Sequence, residues 1–231
     1  MSKRENTFIF MLFLLILGQT LVSCKDDEDG IDETLPRVIE NLPNAENVKS
    51  TTAFIPFDEK RTVGVVYGFD ENIIHPTDHM VYVVYCNYLD GEDGVHLKGL
   101  EPSRTYYYTT VYYNGKEEIY SKQIKTFTTQ GVKIEFIGQG ESNKLRFKTY
   151  AAEEWDEVLD LSVALHGVNE QGVVGGLFTI GTNYIGDGVW ELDFFIRPVE
   201  GDRWKAVIKC YNGREVAETP VYTFVNGEWK V

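Results

Sequence analysis

From about residue 36 onward, apolar and polar positions alternate with a period of two over short runs, which Gly, Asn, Asp and Pro interrupt. Period two sends successive side chains to opposite faces of an extended strand, whereas a helix shows a 3.6-residue spacing, and no long stretch after residue 24 shows it. The pattern predicts strands at Arg37–Asn41, Thr51–Phe57, Thr62–Phe69, Met80–Leu89, Gly94–Leu100, Thr105–Tyr113 and Ile119–Thr128. A second series follows at Val132–Ile137, Leu145–Tyr150, Val158–Val168, Val173–Ile180, Val189–Arg197, Arg203–Tyr211 and Val221–Val225. Within the second series Leu159, Leu161, Val163 and Leu165 share one face, and Trp190, Leu192, Phe194 and Ile196 share another. Such half-apolar strands belong to antiparallel sheets with one buried side. The expected fold class is all-β: two tandem β-sandwich domains at 36–129 and 131–231, joined at Gln130-Gly131, which reads as a short hinge in a semi-rigid pair.

The first residues break this pattern. Lys3 and Arg4 precede an apolar run from Phe8 to Val22, which ends in Leu21-Val22-Ser23-Cys24. A basic start, a short apolar stretch and small residues before a cut site make a secretory signal. The run has 15 residues, fewer than the roughly 20 that a helix needs to cross a bilayer. Leu21-Val22-Ser23-Cys24 resembles the lipobox of bacterial lipoproteins. The resemblance implies a signal peptide at 1–23, cut before Cys24, and acylation of the Cys24 thiol. Several acyl chains hold a protein firmly on a membrane, since each buried CH₂ contributes about 0.8 kcal/mol. Lys25-Asp26-Asp27-Glu28-Asp29 then resembles the acidic export signal of Bacteroides-like surface lipoproteins. That implies an outer-membrane location facing the cell exterior. Like charges repel, so 24–35 reads as an extended acidic tether reaching up to about 40 Å.

Charge and cysteine usage narrow the partners. The chain carries a net charge of −14, or −15 without residues 1–23. A chain this acidic has no electrostatic footprint for nucleic acid, which needs clustered Lys and Arg to displace counterions. Beyond Cys24 there is one Cys in each half, Cys86 and Cys210. Each reads first as a buried free thiol; a disulfide between them is the alternative, and needs Cα atoms within about 7 Å. One Cys per domain builds no metal framework.

The segment Gly99-Leu100-Glu101-Pro102-Ser103-Arg104-Thr105-Tyr106, with Thr126-Phe127-Thr128-Thr129 closing the last strand of the first half, resembles fibronectin type III domains. Leu100, Pro102 and Tyr106 carry the resemblance. Pro fixes φ at a corner and the Tyr hydroxyl bonds the nearby backbone. Arg104 stands where the family often has Thr, and no Trp occurs in Thr62–Gly68 where animal members have one. Surface lipoproteins with such domains often also carry carbohydrate-binding domains beside outer-membrane uptake systems. The resemblance therefore implies a non-catalytic binding module, possible partners being a glycan or a surface protein.

The candidate ligand-binding residues are aromatic. In Thr105–Tyr113, alternation sends Tyr106, Tyr108 and Tyr112 to one face and Tyr107 and Tyr113 to the other. One set is core; Tyr107 and Tyr113 are candidates for a recognition surface, against simple cross-strand pairing. Trp155, among the acids of Ala151–Glu157, is the third candidate, in a stretch that reads as one helical turn or a solvated connector. No catalytic residue, cofactor or metal is expected. His75-Pro76-Thr77-Asp78-His79 sits in a loop that lacks a closed ligand set, and Asp90-Gly91-Glu92-Asp93-Gly94 lacks the oxygen spacing of a calcium loop. With 36 acids, nothing selects a glycosidase pair. Neither a nucleophile elbow nor a phosphate-cradling Gly loop occurs.

Overall fold

Strand β1 (Ala53–Pro56) pairs antiparallel with β4 (Gly94–Leu97), and the bridge Glu46↔Phe54 extends this sheet toward the N-terminus. The facing sheet has β2 (Thr62–Gly68) at its centre, flanked by β3 (Val81–Tyr85) and β5 (Thr105–Tyr113). β5 in turn pairs with β6 (Glu118–Tyr120) and β7 (Lys125–Thr128). Alternation explains the layering. Ala53, Ile55, Val65, Tyr67, Val95, Leu97, Tyr106, Tyr108 and Phe127 all turn inward to one apolar core. The computed structural model describes residues 42–57, 62–73, 81–85, 93–113, 116–140, 144–172, 174–177, 179–194 and 197–231. Several expectations lie outside them: the signal, tether and Cys24, the strand at Arg37–Asn41, the His75–His79 loop, Cys86, and the residues 90–92 and 114–115 of two expected turns.

The second sandwich repeats the plan with other residues. One sheet runs in the order β12 (Thr179–Gly186), β13 (Val189–Phe194), β9 (Leu145–Tyr150), β8 (Lys133–Gln139). The other runs β11 (Val174–Leu177), β10 (Leu161–Val168), β14 (Arg203–Cys210), β16 (Tyr222–Val225), β17 (Glu228–Lys230), with β15 (Glu215–Glu218) also on β14. In the first sandwich β1 pairs β4 in one sheet and β2 pairs β5 in the other; here β9 pairs β13 and β10 pairs β14. This is the immunoglobulin-like arrangement, twice. The expected all-β tandem of sandwiches is what the chain forms. The internal repetition lies in topology and not in aligned residues.

Trp204 organises the second core. It is fully buried, stacks on Tyr222 at 4.7 Å between centroids, and meets Phe136 and Phe147 edge-on at 5.4 Å each. Trp204, Ala206 and Ile208 share the inward face of β14 as alternation predicts. Cys210 is a buried free thiol.

Several elements differ from expectation. Ile119–Thr128 is two strands, because the chain leaves the ladder after Ser121, whose N–H still donates to the Thr110 carbonyl at 3.0 Å, and rejoins it at Lys125. There Thr109 Oγ1 donates to the carbonyls of Ser121 and Gln123 instead. The expected strand Val173–Ile180 is divided between β11 and the first two residues of β12; the rest of β12, and β15 and β17, were not expected as strands, being polar or glycine-bearing, and their pairing to strong neighbours supplies what their own pattern lacks. Gly175-Gly176 form a bulge opposite Gly167, since the register shifts between His166↔Leu177 and Val168↔Val174. β10 begins at Leu161, so Leu159 and Asp160 belong to the approach loop.

Candidate functional site

The two sandwiches lie in one compact unit, Val38–Val231, and their junction is polar and closed. Glu153 is only 6% exposed. Its carboxylate accepts the backbone N–H groups of Ser50 and Thr51, both at 2.8 Å, and the Thr51 hydroxyl at 2.7 Å. Burial raises the Glu153 pKa, but the hydrogen bonds from Thr51 and Ser50 outweigh it and the net shift is downward. Ser50 Oγ in turn accepts Ala152 N–H at 3.0 Å. Gln130-Gly131 is thus no free pivot: Gln130 N–H donates to the Lys49 carbonyl at 3.0 Å and Ser103 N–H donates to Gln130 O at 3.2 Å.

A second tie starts from the corner. Tyr106 Oη accepts the Glu101 N–H at 2.7 Å, and Thr129 Oγ1 donates to the Glu101 carbonyl at 2.6 Å. The expected Leu-Pro-Tyr corner is therefore present, and it fixes the Glu101 backbone. The Glu101 side chain then reaches the second sandwich, where Asn212 Nδ2 donates to Oε1 at 2.8 Å and Arg214 Nη1 lies 3.1 Å from Oε2. Arg214 Nη2 also donates to the Pro102 carbonyl at 2.7 Å.

Between these ties opens a cleft of about 460 Å³. Its first wall is aromatic: Tyr67 and Tyr82 stack with centroids 5.3 Å apart, and Phe69 packs on Tyr106 at 5.1 Å. Arg104 sits over the Phe69 ring, 4.4 Å from its centroid. The floor is Lys98–Glu101 from the loop after β4. The opposite wall is Leu159–Leu161 entering β10 and Cys210–Asn212 leaving β14. Tyr211, at the tip of the turn between β14 and β15, is 94% exposed at the mouth. Gly99 has φ +68°, and a Cβ there would stand 2.9 Å from Asp160 Oδ2. The positive φ favours glycine here, while the contact itself could be relieved by rotation of the Asp160 side chain.

Electrostatics leave the cleft with selected polar groups. Glu101 is held by Arg214 and Asn212, while Lys98 and Asp160 carry the other charges. Burial pushes the Tyr67, Tyr106 and Cys210 pKa values up, so all three keep their protons at neutral pH. Cys210 is therefore held as a thiol. The site can stack planar or ring-shaped apolar faces and exchange hydrogen bonds; its volume matches a small-ligand pocket.

The three aromatic residues expected at a binding surface are not brought together. Tyr107 is half-buried on the outer face of its sheet, against a small cluster of Val66, Ile73 and Val111. Tyr113 pairs through its backbone with Glu118, and its side chain is outside the described set. Trp155 opens a single 3₁₀ turn, Trp155–Glu157, is 9% exposed, and meets Trp190 edge-on in the second core. Its segment contributes Glu153 to the junction instead. Phe69, Tyr211 and Asn212 were not singled out from the sequence, although Asn212-Gly213 signals a tight turn that presents its flanking residues. Among the described residues no group of three or more His, Cys, Asp and Glu is arranged to hold a metal, and no helix is long and apolar enough to cross a membrane.

No protein-family profile matches the chain, and no curated protein sequence is similar to it. Among solved structures it is similar to a two-domain fibronectin type III segment of chicken tenascin, at 15% identity and a TM-score of 0.29, over 77% of this chain and 93% of that one. The strand order and register given above, and not this likeness, define the fold as a tandem of immunoglobulin-like sandwiches.

Proposed function

We propose that this chain is a non-catalytic binding module that takes one sugar unit of a glycan into the cleft between its sandwiches, and that a lipid on Cys24 fixes it to the outer membrane, facing the cell exterior. One observation carries the reading: partly exposed Phe69 and exposed Tyr82 and Tyr211 line the same cleft as the polar groups of Asp160, Asn212 and Lys98. A sugar has an apolar C–H face that stacks on aromatic rings and a rim of hydroxyls that needs donors and acceptors. Tyr suits this use because it brings apolar area and a polar tip with few rotatable bonds. Glu101 is committed to the junction, since Asn212 donates to one of its oxygens and Arg214 is ion-paired with the other.

A glycan array probed with the chain tests the proposal. At least one glycan class should bind, and Tyr211→Ala should weaken that binding by about tenfold. Tyr211 is almost wholly exposed, so this variant keeps its fold. An array without signal, or full binding by Tyr211→Ala and Tyr82→Ala alike, would count against the reading.

A further inference from the structure

Edge strands expose unpaired backbone groups, and folded proteins usually blunt them with charge, proline, glycine or a bulge. The described edges of this chain follow the rule with one exception. β1 has Pro56, β4 has Gly94, β6 has Glu118, β11 has Gly175-Gly176, β12 has Gly181 and Gly186, and β8 and β17 carry Lys and Glu. β3 reads Val-Tyr-Val-Val-Tyr and has none of these. Among the described residues it stands at the end of its sheet and pairs with β2 alone. In a chain that is 25% charged, Met80–Leu89 has no charged residue at all. On the outer face of the sheet Val83 is 41% and Tyr85 is 55% exposed.

We propose that β3 is a dimerisation edge, which pairs antiparallel with β3 of a second copy of this chain about a two-fold axis at Val83. The strand is its own best match. The axis sets Val83 opposite Val83, Tyr82 opposite Val84 and Val81 opposite Tyr85, so each facing pair is β-branched with β-branched or with aromatic. Such pairs stabilise antiparallel ladders. Two copies of a chain with net charge −14 repel, and a strand that carries no charge sets no like charges face to face across the ladder. An isologous contact of this kind closes on itself as a dimer and does not propagate. The outer-face residues Val83 and Tyr85 are not part of the cleft lining, so the dimer and the sugar site can fail separately.

Sedimentation equilibrium of the full chain, in density-matched detergent that keeps its apolar leader from driving association, tests this. A monomer–dimer equilibrium is expected. Val83→Lys places two ammonium groups face to face on the axis and should weaken the dimer by about tenfold or more. Tyr85→Lys should weaken it too, whereas Ile185→Lys, at an exposed position of β12, should leave it unchanged. Both edge variants replace exposed side chains, and a wild-type far-ultraviolet circular dichroism spectrum with a cooperative melt confirms that they fold. A chain that stays monomeric across the accessible concentration range overturns the proposal, as does a dimer that persists in both Val83→Lys and Tyr85→Lys.

Discussion

Glu153 keeps its charge out of water because three donors converge on it, two of them backbone N–H groups of the neighbouring sandwich. Its net pKa shift is downward, so it favours the folded state above the ordinary carboxylate range. That contribution fades as pH falls through that range to the depressed folded value. Glu153→Gln removes the charge and turns an amide NH₂ toward donors. We predict a loss of about 1–3 kcal/mol at pH 7 in thermal or denaturant melts. The gap between variant and wild type should narrow as the pH is lowered past the carboxylate range, where wild-type Glu153 is itself protonated. A constant gap from pH 7 to pH 3 would show that the charge is not what matters. The residue scale was partly legible. The Leu100-Pro102-Tyr106 corner could be read because its spacing is local. The burial of Glu153 could not, because Ala151–Glu157 is polar throughout and its partners lie about a hundred residues away in sequence.

At the scale of elements, the hairpins decide where side chains point. Asp187 and Gly188 both have positive φ, +52° and +73°, between β12 and β13, and so do Asn226 and Gly227, +52° and +81°, between β16 and β17. Such two-residue turns match the twist of paired strands. At Gly188 a further constraint acts, since a Cβ would stand 2.6 Å from the Thr149 carbonyl oxygen. At Gly213, φ is also positive but nothing lies within 4 Å. Gly213→Ala should therefore lose about 1 kcal/mol from backbone strain alone, and Gly188→Ala about 2–3 kcal/mol, or at least 4 °C in melting temperature. Equal losses at the two sites would mean that the close approach at Gly188 relaxes freely. These turns also explain the strands that the pattern did not predict. β12, β15 and β17 each follow or precede an Asp-Gly or Asn-Gly pair, a signal present in the sequence at 187–188, 212–213 and 226–227. Their apolar alternation is too weak to reveal them without their partners.

For the molecule as a whole, the junction matters more than either sandwich. Glu153 from one side and Glu101 with Arg214 from the other hold the walls at the spacing that makes the cleft. The remaining question of scale is where this unit sits. If Cys24 carries the proposed lipid, Cys24→Ser should abolish fatty-acid labelling and move the protein from the membrane to the soluble fraction, with its melting behaviour unchanged. Labelling retained in the variant would remove the anchor and the cell-surface setting with it.

The order of apolar and polar residues alone determined the all-β class, most strand positions, the inward faces of β5 and β14, and the corner at Tyr106. All of these depend on interactions within a few residues or on period-two alternation, so they are written locally. The tertiary structure decided which aromatic residues meet. Tyr67, Phe69 and Tyr82 come to face Asp160 and Tyr211 across a junction, while Trp155 goes into a core. That choice depends on long-range packing and on polar groups that must find partners when water leaves. No short window of sequence contains that information.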